Sequence, residues 1–116
     1  MKRFVIGLLA SLLLAAKSFA AFPEKPIRFV VAFAPGSSTD IVARLIAEQV
    51  SASLGQPVFV ENKPGAGGNI ATQGVMNGPA DGYTLLFHSV AYAVNPTLFG
   101  NAGYDAVKDL QAVALA

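Results

Sequence analysis

Residues 58 to 87, VFVENKPGAGGNIATQGVMNGPADGYTLLF, constrain this chain more than any other stretch. An apolar strand runs into a glycine-rich loop, a short helix, a dense turn and a second apolar strand. In Pro64-Gly65-Ala66-Gly67-Gly68-Asn69 the glycines tolerate positive φ and carry no side chain, so bare backbone N–H groups can approach a ligand. That is the geometry of an anion site. No Lys-Ser/Thr follows the glycines, which excludes a P-loop, and Ile70 stands where the third glycine of the dinucleotide fingerprint would fall. Carboxylate therefore suits the loop better than phosphate.

The flanking sequence extends the same alternation. Ile27 to Phe33, IRFVVAF, is a nearly continuous apolar run rich in β-branched and aromatic residues, as expected of a buried parallel strand. Ala34-Pro35-Gly36 breaks it. Ser37, Ser38 and Thr39 offer hydroxyl caps to a following helix, Asp40 suits its first turn, and Ile41, Val42, Leu45, Ile46 and Val50 recur at helical spacing. Gly55 and Pro57 end that helix. Strands are then expected at Val58 to Val60 and Tyr83 to Phe87, with a helix from about Ile70 to Met76 between them. A further helical turn is expected to start at Asn95-Pro96, and Leu110 to Leu115 is a candidate fourth strand. Strand, helix, strand, helix, strand is the signature of an α/β fold with a parallel sheet flanked by helices.

The first twenty residues stand apart from this pattern. Lys2 and Arg3 form a positive start, Phe4 to Ala16 an apolar segment, and Ser18-Phe19-Ala20 a small-residue cleavage site before Ala21. Residues 1–20 thus read as a cleavable signal peptide, and an apolar run of about 13 residues is short of the roughly 20 that span a bilayer. Lys17 is the one departure from the usual pattern. Without Lys2, Arg3 and Lys17, five basic residues face seven acidic ones, so residues 21–116 carry no basic excess to attract nucleic acid. The absence of cysteine excludes disulfides, thiolate metal sites and a cysteine nucleophile. Export without cysteine points to a bacterial periplasm.

In an open parallel sheet, ligands bind beyond the carboxyl ends of the strands. Three segments fall there: Ala34 to Asp40, Pro64 to Asn69 and His88 to Tyr92. They form a half-site for an anion, unless the glycines merely turn the chain and the hydroxyls only cap helices. Asp40 either meets a ligand ammonium or complements the helix dipole. His88, the only histidine, has no partner at metal-ligand spacing and reads as a packing or loop residue. Ser89 lacks glycine on both i ± 2 flanks, where Phe87 and Ala91 stand, so a nucleophile elbow is disfavoured. Tyr83, Tyr92 and Tyr104 read as amphipathic packing residues.

The segments PIRFVVAFAPGSSTDIVARLIAEQVSASLGQPVFVENKPGAGGNIATQGV and PADGYTLLF, with Asn95-Pro96-Thr97-Leu98-Phe99 and Tyr104 to Leu110, resemble the Bug (TctC) family of extracytoplasmic receptors of tripartite tricarboxylate transporters. The resemblance implies a periplasmic-binding-protein-like, Venus-flytrap fold that closes on a small organic carboxylate and delivers it to membrane transporter subunits. The ligand would be an amino acid, tricarboxylate or aromatic acid held through backbone amides and ordered water, without cofactor, metal or catalysis. Carried over, the ligand-binding positions are Pro35, Gly36, Ser37, Ser38, Thr39 and Asp40 in the first loop, Gly65, Ala66, Gly67, Gly68 and Asn69 in the second, and Ser89 after the third strand. Ser37 replaces the second glycine of a frequent Pro-Gly-Gly. Family members carry roughly twice the mature residues present here, enough for two lobes. Residues 21–116 accordingly correspond to an incomplete first lobe, with the second lobe absent. Two rival readings are an exported α/β enzyme fragment, which would need a base converging on Ser89, and a nonfunctional remnant or sensory module.

Overall fold

Alternation along the first strand accounts for the layering of the molecule. The computed structural model describes residues 21–116, and the expected leader lies outside them. β1 (Ile27–Val31) is followed by α1 (Ser38–Leu54), β2 (Val58–Asn62), a 3₁₀ turn (Ala66–Gly68), α2 (Asn69–Met76), β3 (Thr84–Phe87) and α3 (Ala91–Leu98). The sheet is parallel in the order β2-β1-β3, with Ile27 opposite Val58 on one side and Arg28 opposite Thr84 on the other. Ile27 and Phe29 pack against Ala47, Ile46 and Val50 of α1. Val30 and Ala32, pointing the other way, pack against Ala71 and Val75 of α2. A strand covered on both faces must be apolar at nearly every position, which is why this run does not alternate with polar residues.

Local chemistry sets the limits of α1. The Ser37 hydroxyl accepts the Asp40 N–H at 3.2 Å, and Gly55 at φ 70° returns its N–H to the Ser51 carbonyl. Such a serine cap contributes about 1 kcal/mol. The buried face of α1 differs from the expected one. Asp40, Ala43 and Ala47 lead into the protein with Ile46 and Val50 beside them, whereas Ile41 and Leu45 are 53% and 60% exposed. Alanines let the helix backbone approach the sheet closely, and Asp40 must face inward to reach Asn62. Hydrophobic periodicity registers neither requirement.

Two further expectations are corrected. Residues Leu110 to Leu115 form no strand, and Val113 and Leu115 are exposed, so their apolar pattern has no neighbouring strand to complete it. The last helix begins at Ala91 rather than at Asn95-Pro96, with Pro96 inside it. Ser89 makes the early start possible, because its hydroxyl accepts the Ala91 N–H at 3.2 Å. Proline at 96 cannot donate to the Tyr92 carbonyl one turn earlier. The Tyr104 hydroxyl donates to that oxygen instead, at 2.7 Å, while its ring stacks on Tyr92 at 5.1 Å. Tyr92 in turn donates to the Ala106 carbonyl, so both tyrosines pack and also satisfy backbone groups.

Candidate functional site

The strand order places three loops at one edge. The chain leaves β1 for β2 on one side and then passes to β3 on the other, and the carboxyl end of such a reversal is where ligands bind in open α/β sheets.

The first loop, Phe33 to Ser37, is fixed by Asp40. The buried carboxylate accepts from Arg44 Nε at 3.1 Å, from Gly36 N–H at 2.9 Å and from Asn62 Nδ2 at 2.8 Å. Asn62 Nδ2 also donates to the Phe33 carbonyl at 3.1 Å, which ties the end of β2 to the end of β1. Gly36 at φ 86° supplies the left-handed turn that aims its N–H at Asp40. Pro35, Gly36 and Ser38 are exposed and Ser37 and Thr39 half-buried, with Ser38 and Thr39 in the first turn of α1. Asp40 thus acts on the loop from inside the protein.

These bonds have a consequence for acid stability. Donation by Arg44, then by Gly36 and Asn62, lowers the Asp40 pKa from 3.8 to about 2. A carboxylate with a depressed folded-state value stabilises the fold above its unfolded pKa and loses that contribution as pH falls through the folded one. We expect stability to fall between about pH 4 and pH 2, and Asp40→Asn to be less stable at pH 7 with a flatter acid limb. Chemical denaturation across that range measures both. An unchanged acid limb would show that Asp40 is not held in this way.

The second loop exposes backbone. Gly65, Ala66, Gly67 and Gly68 all have positive φ, from 51° at Ala66 to 134° at Gly65. Gly68 N–H turns back to the Gly65 carbonyl at 3.0 Å and Asn69 N–H to Ala66. The N–H groups of Ala66 and Gly67 have no partner among the described residues, and both residues are exposed. Asn95 on α3 holds the loop from below, donating to the Gly67 carbonyl and to Asn69 Oδ1, each at 2.8 Å. Thr72, fully buried, donates to the Gly68 carbonyl at 3.0 Å.

His88 links the second loop to the third. Its ring stands edge-on to Phe33 at 5.3 Å and to Tyr92 at 5.8 Å, and it covers Gly68 so closely that a Cβ there would lie 2.6 Å from Cε1. Ser89 N–H donates to Nδ1 at 2.9 Å, so the neutral ring carries its proton on Nε2. Nε2 is buried without a partner among the described residues, and burial lowers the His88 pKa. His88 therefore addresses the backbone of Ser89, while the Ser89 hydroxyl accepts the Ala91 N–H, an arrangement with no activated nucleophile.

The structure thus brings Gly67, Gly68 and Asn69 against the α3 and His88 segment, with Pro35 to Asp40 tied to the end of β2 beside them. Sequence reasoning missed Asn62, Arg44, Thr72 and Asn95. Only Asn95 carried a signal, as the residue before proline, and that signal suggested a helix start. A separate open groove of about 690 Å³ lies between α1 and β2, lined by Arg44, Glu48 and Phe59 among others, away from the strand ends.

An open parallel α/β unit whose strand-end loops present glycine backbone defines a ligand-binding lobe. Comparison with known proteins makes this specific: residues 42–116 match the tripartite tricarboxylate transporter family receptor, TctC, and the chain belongs to that family of binding receptors, not enzymes. It is 48% identical over 112 residues to a UPF0065 protein of Bordetella bronchiseptica and 43% identical over 103 residues to Protein BugT of Bordetella pertussis. These matches cover 92% and 87% of this chain but 33% and 32% of the relatives. Among solved structures, the periplasmic binding protein BugD matches at 45% identity and a TM-score of 0.70, over 73% of this chain and 28% of its own. MatC from Rhodopseudomonas palustris with bound malate matches at 41% and 0.63, over 76% and 30%. The R. palustris protein Rpa4515 with adipate matches at 39% and 0.61, over 62% and 24%. The chain spans about a third of the length of the relatives it matches, a larger deficit than the twofold one the resemblance implied.

Proposed function

We propose that the chain contributes most of the first lobe of a periplasmic solute receptor that captures a small organic carboxylate for tripartite tricarboxylate-type uptake. In this reading residues 1–20 direct export and are removed. The ligand carboxylate lies against the free N–H groups of Ala66 and Gly67 and the first turns of α1 and α2. Ser38, Thr39 and Ser89 border it, and Asp40 and Asn69 hold the two loops in place. One observation carries the reading: the glycine loop exposes unpartnered backbone donors at the strand ends of a chain whose relatives are solved with malate and adipate. Backbone donors recognise the carboxylate group, and the remainder of the pocket selects among amino acids, tricarboxylates and aromatic acids.

The test uses a chimera in which residues 21–116 replace the matching part of MatC. Calorimetry with malate, adipate, citrate and an aromatic acid is expected to find at least one ligand bound within about tenfold of the MatC–malate affinity, a 1.4 kcal/mol margin. Gly67→Asn, which tolerates the φ of 64° and turns its side chain toward Asn95 and Phe99, should weaken binding more than tenfold, with melting temperature measured on the same preparation to separate a disturbed Asn95 anchor from a lost ligand contact. A folded chimera that binds none of the four would end this reading.

A further inference from the structure

The ring of His88, the only histidine of the chain, bridges all three strand-end segments. It stands edge-on to Phe33 after β1, lies over Gly68 in the glycine loop, and meets Ser89 and Tyr92 after β3. Neither nitrogen is placed to serve a cation. Nδ1 accepts the Ser89 N–H at 2.9 Å and lies 3.2 Å from the Ser89 carbonyl, and Nε2 is buried without a hydrogen-bond partner among the described residues. A protonated ring must donate from both nitrogens, so the Ser89 N–H would lose its acceptor and a buried charge would lie against Gly68. No charged side chain offsets that cost. Burial is the largest influence on the ring, the backbone of Ser89 and Gly68 opposes it only in part, and the pKa falls below its ordinary 6.5. Of Phe33, Gly68 and Tyr92, which face the ring from β1, the glycine loop and α3, Tyr92 alone titrates. Burial, with Tyr104, Asp109 and Asp105 adding to it, raises that phenol above 10.0, so it stays neutral.

We propose that His88 is a positioning residue that holds the glycine loop only while its ring is neutral, so that mild acid releases the loop. The ring takes a proton more readily in water than beneath Gly68. Opening therefore gains as pH falls below 6.5 and stops gaining below the folded-state value, with a slope of at most about tenfold per pH unit for one proton. Thr72 and Asn95 still hold the Gly68 and Gly67 carbonyls, so the release frees the side of the loop that His88 covers and leaves its attachment to α2 and α3. The exposed N–H groups of Ala66 and Gly67 belong to this loop, and their aim then follows pH. Asp40, which fixes the first loop, changes charge near 2, well below this window.

The whole 116-residue chain, expressed with its leader and purified without a histidine tag, gives a single histidine resonance to follow by NMR. Its Cε1 proton is expected to titrate below 6.5. Amide exchange is measured in parallel at Gly68 and Asn69, whose N–H groups return to the Gly65 and Ala66 carbonyls. Expressed as protection factors, which remove the intrinsic pH dependence of exchange, both should be constant above about pH 7 and fall about threefold or more by about pH 5. His88→Asn keeps an acceptor for the Ser89 N–H without a titrating ring, and its profile should be flat over the same range. If that variant does not fold, the parent chain decides by itself, because a histidine with a purely structural role would leave protection unchanged through its own titration. The proposal is overturned by a His88 titration at or above 6.5, by protection in the parent that does not change from about pH 7 to about pH 5, or by the same fall in His88→Asn. No readout uses a carboxylate, so the outcome is independent of the proposed ligand.

Discussion

Gly68→Val is expected to destabilise the chain by about 2–6 kcal/mol. A β-branched residue held at φ 95° costs about 1–3 kcal/mol in backbone strain. Its Cβ would also collide with the His88 ring, which is confined between Phe33 and Tyr92, and such overpacking adds about 1–3 kcal/mol. Against the 5–15 kcal/mol typical of a folded domain, this removes a large share. Urea denaturation followed by circular dichroism measures it. A second variant separates the two causes: Gly68→Ala with His88→Ala removes the collision and keeps the strain, so it should recover about half the loss. Wild-type stability in Gly68→Val would show that the histidine does not sit over the loop. Because Gly68 is structural in this way, a binding defect at that position says little about the ligand, and Gly67 is the better probe.

Asn95→Ala is expected to cost about 2–4 kcal/mol, a large effect for one polar side chain. Asn95 and Asn69 are 3% and 6% exposed, so truncation leaves Asn69 Oδ1 buried without its donor, and Gly67 loses its tie to α3. A buried acceptor left unsatisfied costs about 1–3 kcal/mol beyond the bond itself. Asn95→Asp supplies the discriminating comparison. It keeps the volume but places acceptors where two donors are required, so it should be no more stable than the alanine variant. Amide hydrogen exchange should also rise across Ala66 to Asn69 in both. Protection equal to the parent there would show that Asn95 does not anchor the glycine loop.

The alternation of strands with helices, the serine cap, the Gly55 stop and the three strand-end loops were legible in the sequence. Each rests on a local rule: β-branched runs, hydroxyls before helical periodicity, glycine where φ is positive. Such rules act within a few residues, so one strand and its turn carry them in full. What joins the loops into a site obeys no local rule. Asn62 meets Asp40 across 22 positions, Asn95 meets Asn69 across 26, and Tyr104 supplies the donor that lets α3 pass through Pro96. The same limit explains the errors. Leu110 to Leu115 has a strand's composition without a neighbouring edge, and the buried face of α1 follows its alanines and Asp40 instead of its largest side chains. From β1 to β3 the sequence determined the kind of element at each place and the backbone freedom of the glycine loop, because backbone conformation and side-chain type are local. Only the tertiary structure decided which buried polar groups hold that loop open, because a hydrogen bond across the fold depends on where the chain returns.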